Sequence, residues 1–199
     1  DVSTPRRLGP FEAAVRTSPE PAVVFDHHDG DSEFECLRIV DVEAGATGQV
    51  LCDLFEAWSV PLTLDVAEPL YVALVADTGS FNYGKTTPHT HHVAARLLEA
   101  GIDPLAVHGR LEGSRTLQAV RAGGDVLRTL TIDASDARLA HATMTAAQFA
   151  DGGADALDML DLVNVTISLR GVLAGVLFVE PSPGTTRLSM RSKGGTSIV

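Results

Sequence analysis

"AVVFDHHDGD", residues 22–31, decides how the chain is read. Ala22-Val23-Val24-Phe25 is a short apolar run with the character of a buried strand. It ends in Asp26, His27 and His28, followed by turn-forming residues. Open α/β sheets bind ligands beyond the carboxyl ends of their strands. A carboxylate and two imidazoles delivered there suit Mn²⁺, Zn²⁺ or Fe better than Ca²⁺. Taken alone, the same three residues also describe a pair of solvated histidines in a turn.

Working outward, a second strand is expected at "LRIV", residues 37–40. In "ATGQVLCDLFEAW", Val50, Leu51, Leu54, Phe55 and Trp58 recur at helical spacing, with Thr47 as N-cap. "AEPLYVALVAD" reads as a buried helix ending at Asp77. "TPHTHHVAARLLEAG" has Thr87 as N-cap, Pro88 at the first helical position and Gly101 at the C-cap. Strands alternating with helices predict an α/β fold with a mainly parallel sheet and flanking helices. The pattern changes near residue 112. "SRTLQAVRAGGDVLRTL" reads as a helix weakened by Gly123-Gly124, and strand-like stretches follow in "TLTID", "RLAHATM", "GVLAGVLFVE" and "TTRLSMRS". The last two flank the turn signal "PSPG" and form a hairpin candidate. The expected organisation is a larger α/β domain over 1–112, a helical linker over 113–128, and a smaller α+β domain over 129–199.

The 199 residues are 45% apolar, which excludes a disordered chain and allows a substantial core. No apolar run is long enough to cross a membrane as a helix, and no membrane partner is expected. Cys36 and Cys52 match no zinc or redox spacing and read as reduced core thiols of a cytoplasmic protein. The net charge of -11 argues against long nucleic acid as a partner. If phosphate is the substrate, metal ions must supply much of the positive charge.

A second stretch adds to the first. In "VADTGSFNYGKTTPHTHH", residues 75–92, Asp77 ends an apolar segment and precedes Thr78-Gly79-Ser80. A carboxylate there needs a metal or a cation, or else caps a turn. His89, His91 and His92 lie in the first turn of a helix, a poor place for cations and an ordinary one for solvated side chains. In "RLSMRSKGG", Arg187 and Arg191 share one face of a strand. Arg191 with Ser192 and Lys193 could fork onto a phosphate or simply face solvent.

Asp26-His27-His28, "GATGQVLCDLFE", "LYVALVADTGSFNYGKTTPHTHHVAARLLEAGID" and "LSMRSKGG" together resemble the DHH/DHHA1 phosphoesterases. The nanoRNase type, combining oligoribonuclease and 3′-phosphoadenosine-5′-phosphate phosphatase activity, is the most similar. The resemblance implies a two-metal hydrolase, with Mn²⁺ in both sites and Mg²⁺ or Co²⁺ as alternatives. It implies that Asp1, opening "DVSTPRRLG", bridges both ions, that His27 binds one, and that Asp77 completes that ion's ligand set. Asp26 and His28 become the catalytic pair, Asp26 orienting a histidine and His28 also donating to the substrate phosphate. Arg191, Ser192 and Lys193 become substrate-binding residues. Short RNA oligonucleotides or small nucleotides are the implied partners, and a homodimer is compatible with the family.

Three departures qualify this. A His-x-x-x-Asp-x-Asp stretch, expected upstream of Asp1, is absent. So is the glycine-rich "GGGH" stretch expected beyond Val199. Asp31 stands where the family often has asparagine. Both ends are therefore expected to be cut, the piece to be weak or inactive, and an apolar face of its parallel sheet to be exposed. Two enzyme alternatives keep the chemistry and change the substrate to cyclic di-AMP with its linear product pApA, or to single-stranded DNA ends. A non-catalytic nucleotide-binding remnant is a third alternative, and a zinc site from His27, His28, His89 and His91 a fourth.

Overall fold

Alternation along the first strand puts Val24 and Asp26 on its buried side and leaves Val23 exposed. This β1 (Ala22–Asp26) belongs to a computed structural model that describes residues 5–30, 35–113, 116–151 and 162–193. Asp1 and Asp31 lie outside the described residues. The chain divides into two compact units, Asp1–His108 and Gly109–Val199.

In the first unit a 3-10 segment, Pro5–Phe11, leads into α1 (Glu12–Thr17) and then β1. Strand β2 (Cys36–Val40) pairs with β1 in parallel, in register from Ala22 opposite Cys36 to Asp26 opposite Val40. Four helices follow: α2 (Thr47–Ala57), α3 (Leu64–Asp77), α4 (Pro88–Glu99) and α5 (Pro104–Glu112). Their apolar faces close one core containing Cys52, Ala67, Leu70, Leu74, Val93, Leu97 and Val107. Helix α3 ends at Asp77 as expected, but it buries one face, with Ala67, Leu70, Tyr71, Leu74 and Val75, and not its whole circumference. Two helix ends shift by one residue. Ala46, not Thr47, is the N-cap of α2, so Thr47 is the first residue of the helix instead of its cap. Ala100 is the C-cap of α4, and Gly101 follows it. The register partners Val23 and Leu37 are 48% and 62% exposed, the open apolar face expected of this strand pair. Cys36 is only half-buried at the start of β2, so Cys52 alone is a core thiol; neither is in a disulfide.

The second unit begins with α6 (Leu117–Thr129), followed by β3 (Thr131–Ile132) and β4 (Leu139–Met144). Helices α7 (Ala146–Asp151) and α8 (Leu162–Ile167) precede the hairpin of β5 (Ala174–Ser182) and β6 (Thr185–Ser192). The sheet order is β3-β4-β5-β6, with β4 and β5 parallel and the outer pairs antiparallel. The stretch expected to be a helical linker is instead part of this unit's core. Ala122 and Val126 of α6 pack with Ala142, Met144, Val163, Leu177 and Val179. An amphipathic helix beside an open sheet face buries its apolar stripe there rather than in water.

Candidate functional site

Strand β1 hands its carboxyl end to Asp26, which is 1% exposed. A buried carboxylate must be satisfied by donors. Asp26 Oδ1 accepts the backbone N–H of His27 at 2.8 Å and of His28 at 3.1 Å, and the His28 Nδ1–H at 2.7 Å. Burial pushes the Asp26 pKa up, but the hydrogen bonds from the His28 side chain and from both backbone amides outweigh it, so the pKa lies below the usual value. The His28 ring is therefore oriented by a carboxylate that stays ionised, while its side chain is 49% exposed.

His27 is held differently. Its Nδ1 lies 3.2 Å from the carbonyl oxygen of Ala44. A carbonyl only accepts, so Nδ1 carries the hydrogen and Nε2 holds the lone pair of the neutral ring. That Nε2 faces Asp77 Oδ2 at 3.6 Å. Two acceptors at this separation need positive charge nearby, either a proton on the ring or a cation between them. An imidazole fixed through Nδ1–H to a carbonyl, with a carboxylate beside Nε2, fits a divalent transition metal. Among the described residues, no group of three or more His, Cys, Asp or Glu side chains is arranged to hold a metal ion. His27 and Asp77 are thus two members of the expected set, and the third, Asp1, lies outside the described residues.

The neighbouring elements converge on the loop that supplies Ala44. Gln49 Oε1 accepts the backbone N–H of Gly45 at 3.2 Å and the Thr90 hydroxyl at 3.0 Å, tying the loop to α2 and α4. A Cβ on Gly45 would lie 3.0 Å from Thr78 Cγ2 and 3.3 Å from the Thr90 side chain, so the loop packs closely on both. Thr87 caps α4 as expected, accepting from the Thr90 backbone while the Thr90 hydroxyl accepts from Thr87 N. Asp77 is the last residue of α3, and Gly79, Ser80 and Phe81 then take φ values of 55°, 55° and 66°. Only glycine fits the first of these, because a Cβ there would also overlap the Tyr83 ring.

Residues that sequence reading passed over complete the surroundings. Ala44 and Gln49 orient His27 and its loop, and Lys85 Nζ donates to the His27 carbonyl at 3.2 Å. "GATGQ" and "YGKTTP" carried the residues, but nothing in their spacing said which backbone groups they would reach. His89 pairs with Asp53 at 2.9 Å, and His91 stacks on Phe81 with ring centroids 5.1 Å apart. The four-histidine zinc arrangement therefore does not form among the described residues.

Arg191, Ser192 and Lys193 lie in the second unit. Arg191 pairs with Gly175 and Ser192 with Ala174, so strand alternation sends Arg191 to the helix-covered face and Ser192 to the opposite one. Gly175 is pressed against Thr166 of α8, which identifies the covered face. Arg191 Nη1 donates to its neighbour's carbonyl, Met190 O, at 3.0 Å, and Lys193 Nζ to Leu169 O at 3.4 Å. The three do not form one patch on a single face.

The first unit carries Asp-His-His at the carboxyl end of a parallel strand, and an α+β unit follows it in the chain. Known proteins resemble this chain. The chain is 31% identical to the bifunctional oligoribonuclease and PAP phosphatase NrnA of Thermus thermophilus over 86% of its own length. It is 25% identical to the protein of the same name from Bacillus subtilis over 85% of its length. It spans about half of each of these relatives, 51% and 54%. An exopolyphosphatase-related protein from Bacteroides fragilis has the same fold, with a TM-score of 0.88 at 21% identity over 98% of this chain and 57% of that one. No family model matches the chain. The chain is thus a homologue of proteins of the DHH family that are named for oligoribonuclease and PAP phosphatase activity.

Proposed function

We propose that the protein is a divalent-metal phosphoesterase acting on short oligoribonucleotides and on 3′-phosphoadenosine 5′-phosphate, with Mn²⁺ as its metal. The observation that carries this is the approach of His27 Nε2 to Asp77 Oδ2 at 3.6 Å, with the Nδ1–H of His27 committed to a backbone carbonyl. Kinship with the oligoribonuclease and phosphatase proteins of Thermus thermophilus and Bacillus subtilis supports the substrate class.

His27 and Asp77, with Asp1 by resemblance, would hold metal. Divalent ions in such a site neutralise phosphoryl oxygens and make bound water a nucleophile near neutral pH. The Ala44 carbonyl keeps the His27 lone pair on Nε2. Asp26 keeps a proton on Nδ1 of His28, so His28 Nε2 can meet a phosphoryl oxygen as a donor when the ring is protonated. Arg191 is proposed as a substrate contact of the second unit, with Ser192, on the opposite strand face, and Lys193 as separate candidates. Cys36 and Cys52, neither of them in a disulfide, support a reducing, cytoplasmic setting, and no helix among the described residues is long and apolar enough to cross a membrane. A homodimer is proposed, with its mass in solution as the check.

The test uses the full-length protein with Mn²⁺ and compares pApA, 3′-phosphoadenosine 5′-phosphate, cyclic di-AMP and single-stranded DNA. Fastest turnover of the first two is expected. Preference for cyclic di-AMP or DNA would move the substrate and keep the chemistry. Full turnover by an Asp77→Asn variant would overturn the proposal.

A further inference from the structure

The segment between Asp77 and α4 is built to a fixed shape. Thr78 Oγ1 accepts the Phe81 backbone N–H at 3.1 Å and donates to Leu74 O at 2.6 Å. Asn82 Nδ2 reaches back to the carbonyls of Gly79 and Ser80 at 3.0 and 3.1 Å. Thr86 N donates to Tyr83 O at 3.0 Å, closing the next turn. Phe81, a bulky residue at φ 66°, is in a conformation that costs free energy and persists only where its surroundings enforce it. Such outliers concentrate at functional sites. What this segment delivers is Lys85, whose ammonium meets the backbone of the tandem histidines from 58 residues away, at 3.2 Å from the His27 carbonyl.

We propose that Lys85 is a phosphate-contacting residue of the candidate site. The inference rests on the phosphoesterase reading above and extends it. An ammonium has three N–H donors, and the His27 carbonyl uses one of them. The others are available to an anion beside the same two histidines. The need for positive charge is plain: the chain carries -11 overall, and Asp26 and Asp77 place carboxylates at this point. A compact ammonium on a long stem suits phosphate as a point charge, without the geometric demand of an Arg fork. Its anchoring to a carbonyl lowers the entropy lost when it meets the substrate. The residue therefore acts mainly on substrate affinity.

The test uses full-length protein in three forms: unaltered, Lys85→Gln and Lys85→Arg. Steady-state kinetics on pApA with Mn²⁺ are run across a range of salt. Lys85→Gln should raise KM about tenfold with kcat within about twofold. It should flatten the salt dependence of kcat/KM by roughly the slope of one phosphate contact, about 0.7. Lys85→Arg, which keeps the charge, should recover most of the affinity. An amine-reactive tag read by mass spectrometry supplies a measurement independent of turnover, and pApA or inorganic phosphate should protect Lys85 of the unaltered protein. An unchanged KM and salt slope in Lys85→Gln overturns the role of Lys85 and leaves the phosphoesterase reading standing. If the unaltered protein fails to turn over pApA, that reading falls, and absence of protection by phosphate then overturns Lys85 as well.

Discussion

His27 Nε2 stands 3.6 Å from Asp77 Oδ2, although 50 positions of chain separate the two residues. The contact joins the end of β1 to the end of α3. Substituting Asp77 should leave the fold intact, because its side chain is 37% exposed, whereas His27 is buried and its loss also leaves the Ala44 carbonyl without its partner. His27→Asn and Asp77→Asn are each expected to lower Mn²⁺ affinity and turnover at least ~100-fold, with the melting temperature of Asp77→Asn close to that of the parent and that of His27→Asn lower. Titration calorimetry with Mn²⁺ and turnover of pApA check this.

Asp26 acts through its neighbours. It accepts three N–H donors and is buried, so Asp26→Asn keeps the volume and removes the charge that orients the His28 ring. A loss of roughly 10–100-fold in activity is expected, as for partners that orient ligands. A parallel loss of stability should appear in urea unfolding, since one buried N–H then faces an amide instead of a carboxylate.

Cys52 gives a pH signature. Burial pushes its thiol up to about 11, with Arg96 lowering and Asp53 raising it in smaller measure. The folded state keeps this proton more tightly than the unfolded chain, whose thiol ionises near 9.0. Stability from this group is therefore intact below pH 9.0 and is lost as pH rises through about 11. Urea unfolding at stepped alkaline pH should show the decline, and Cys52→Ala should flatten it. A thiol reagent at pH 8 should label Cys36 well before Cys52.

The turn after Asp77 admits one residue type at its first position. Gly79→Ala sets a Cβ into the Tyr83 ring at φ 55° and should cost about 1–3 kcal/mol. It should also disturb the loop that carries Lys85. Thermal melts and the pApA KM read the two effects separately.

Helix α6 should unfold with the second unit. Val126 is 2% exposed against Leu177 and Val179, so Val126→Ala should cost about 1–3 kcal/mol. Hydrogen exchange should show α6 amides protected to the same degree as those of β4 and β5.

The amino-acid sequence by itself determined the local elements and the residue types of the site. The apolar run before Asp26, the buried pattern ending at Asp77, and the Thr87-Pro88 start of α4 follow from side-chain periodicity and capping, which act over a few residues. Tertiary structure decided what distant backbone does. Thr47 lost its expected cap because Ala46 takes the capping position. Residues 117–129 joined a core instead of bridging domains, because Ala122 and Val126 find a sheet face to cover. Strand alternation separated Ser192 from Arg191 once β6 paired with β5. The Ala44 carbonyl that sets the His27 tautomer, and Lys85 at the His27 carbonyl, depend on where loops 17 and 58 residues away come to rest. Short-range periodicity holds no record of such distances; they are fixed by how the core closes.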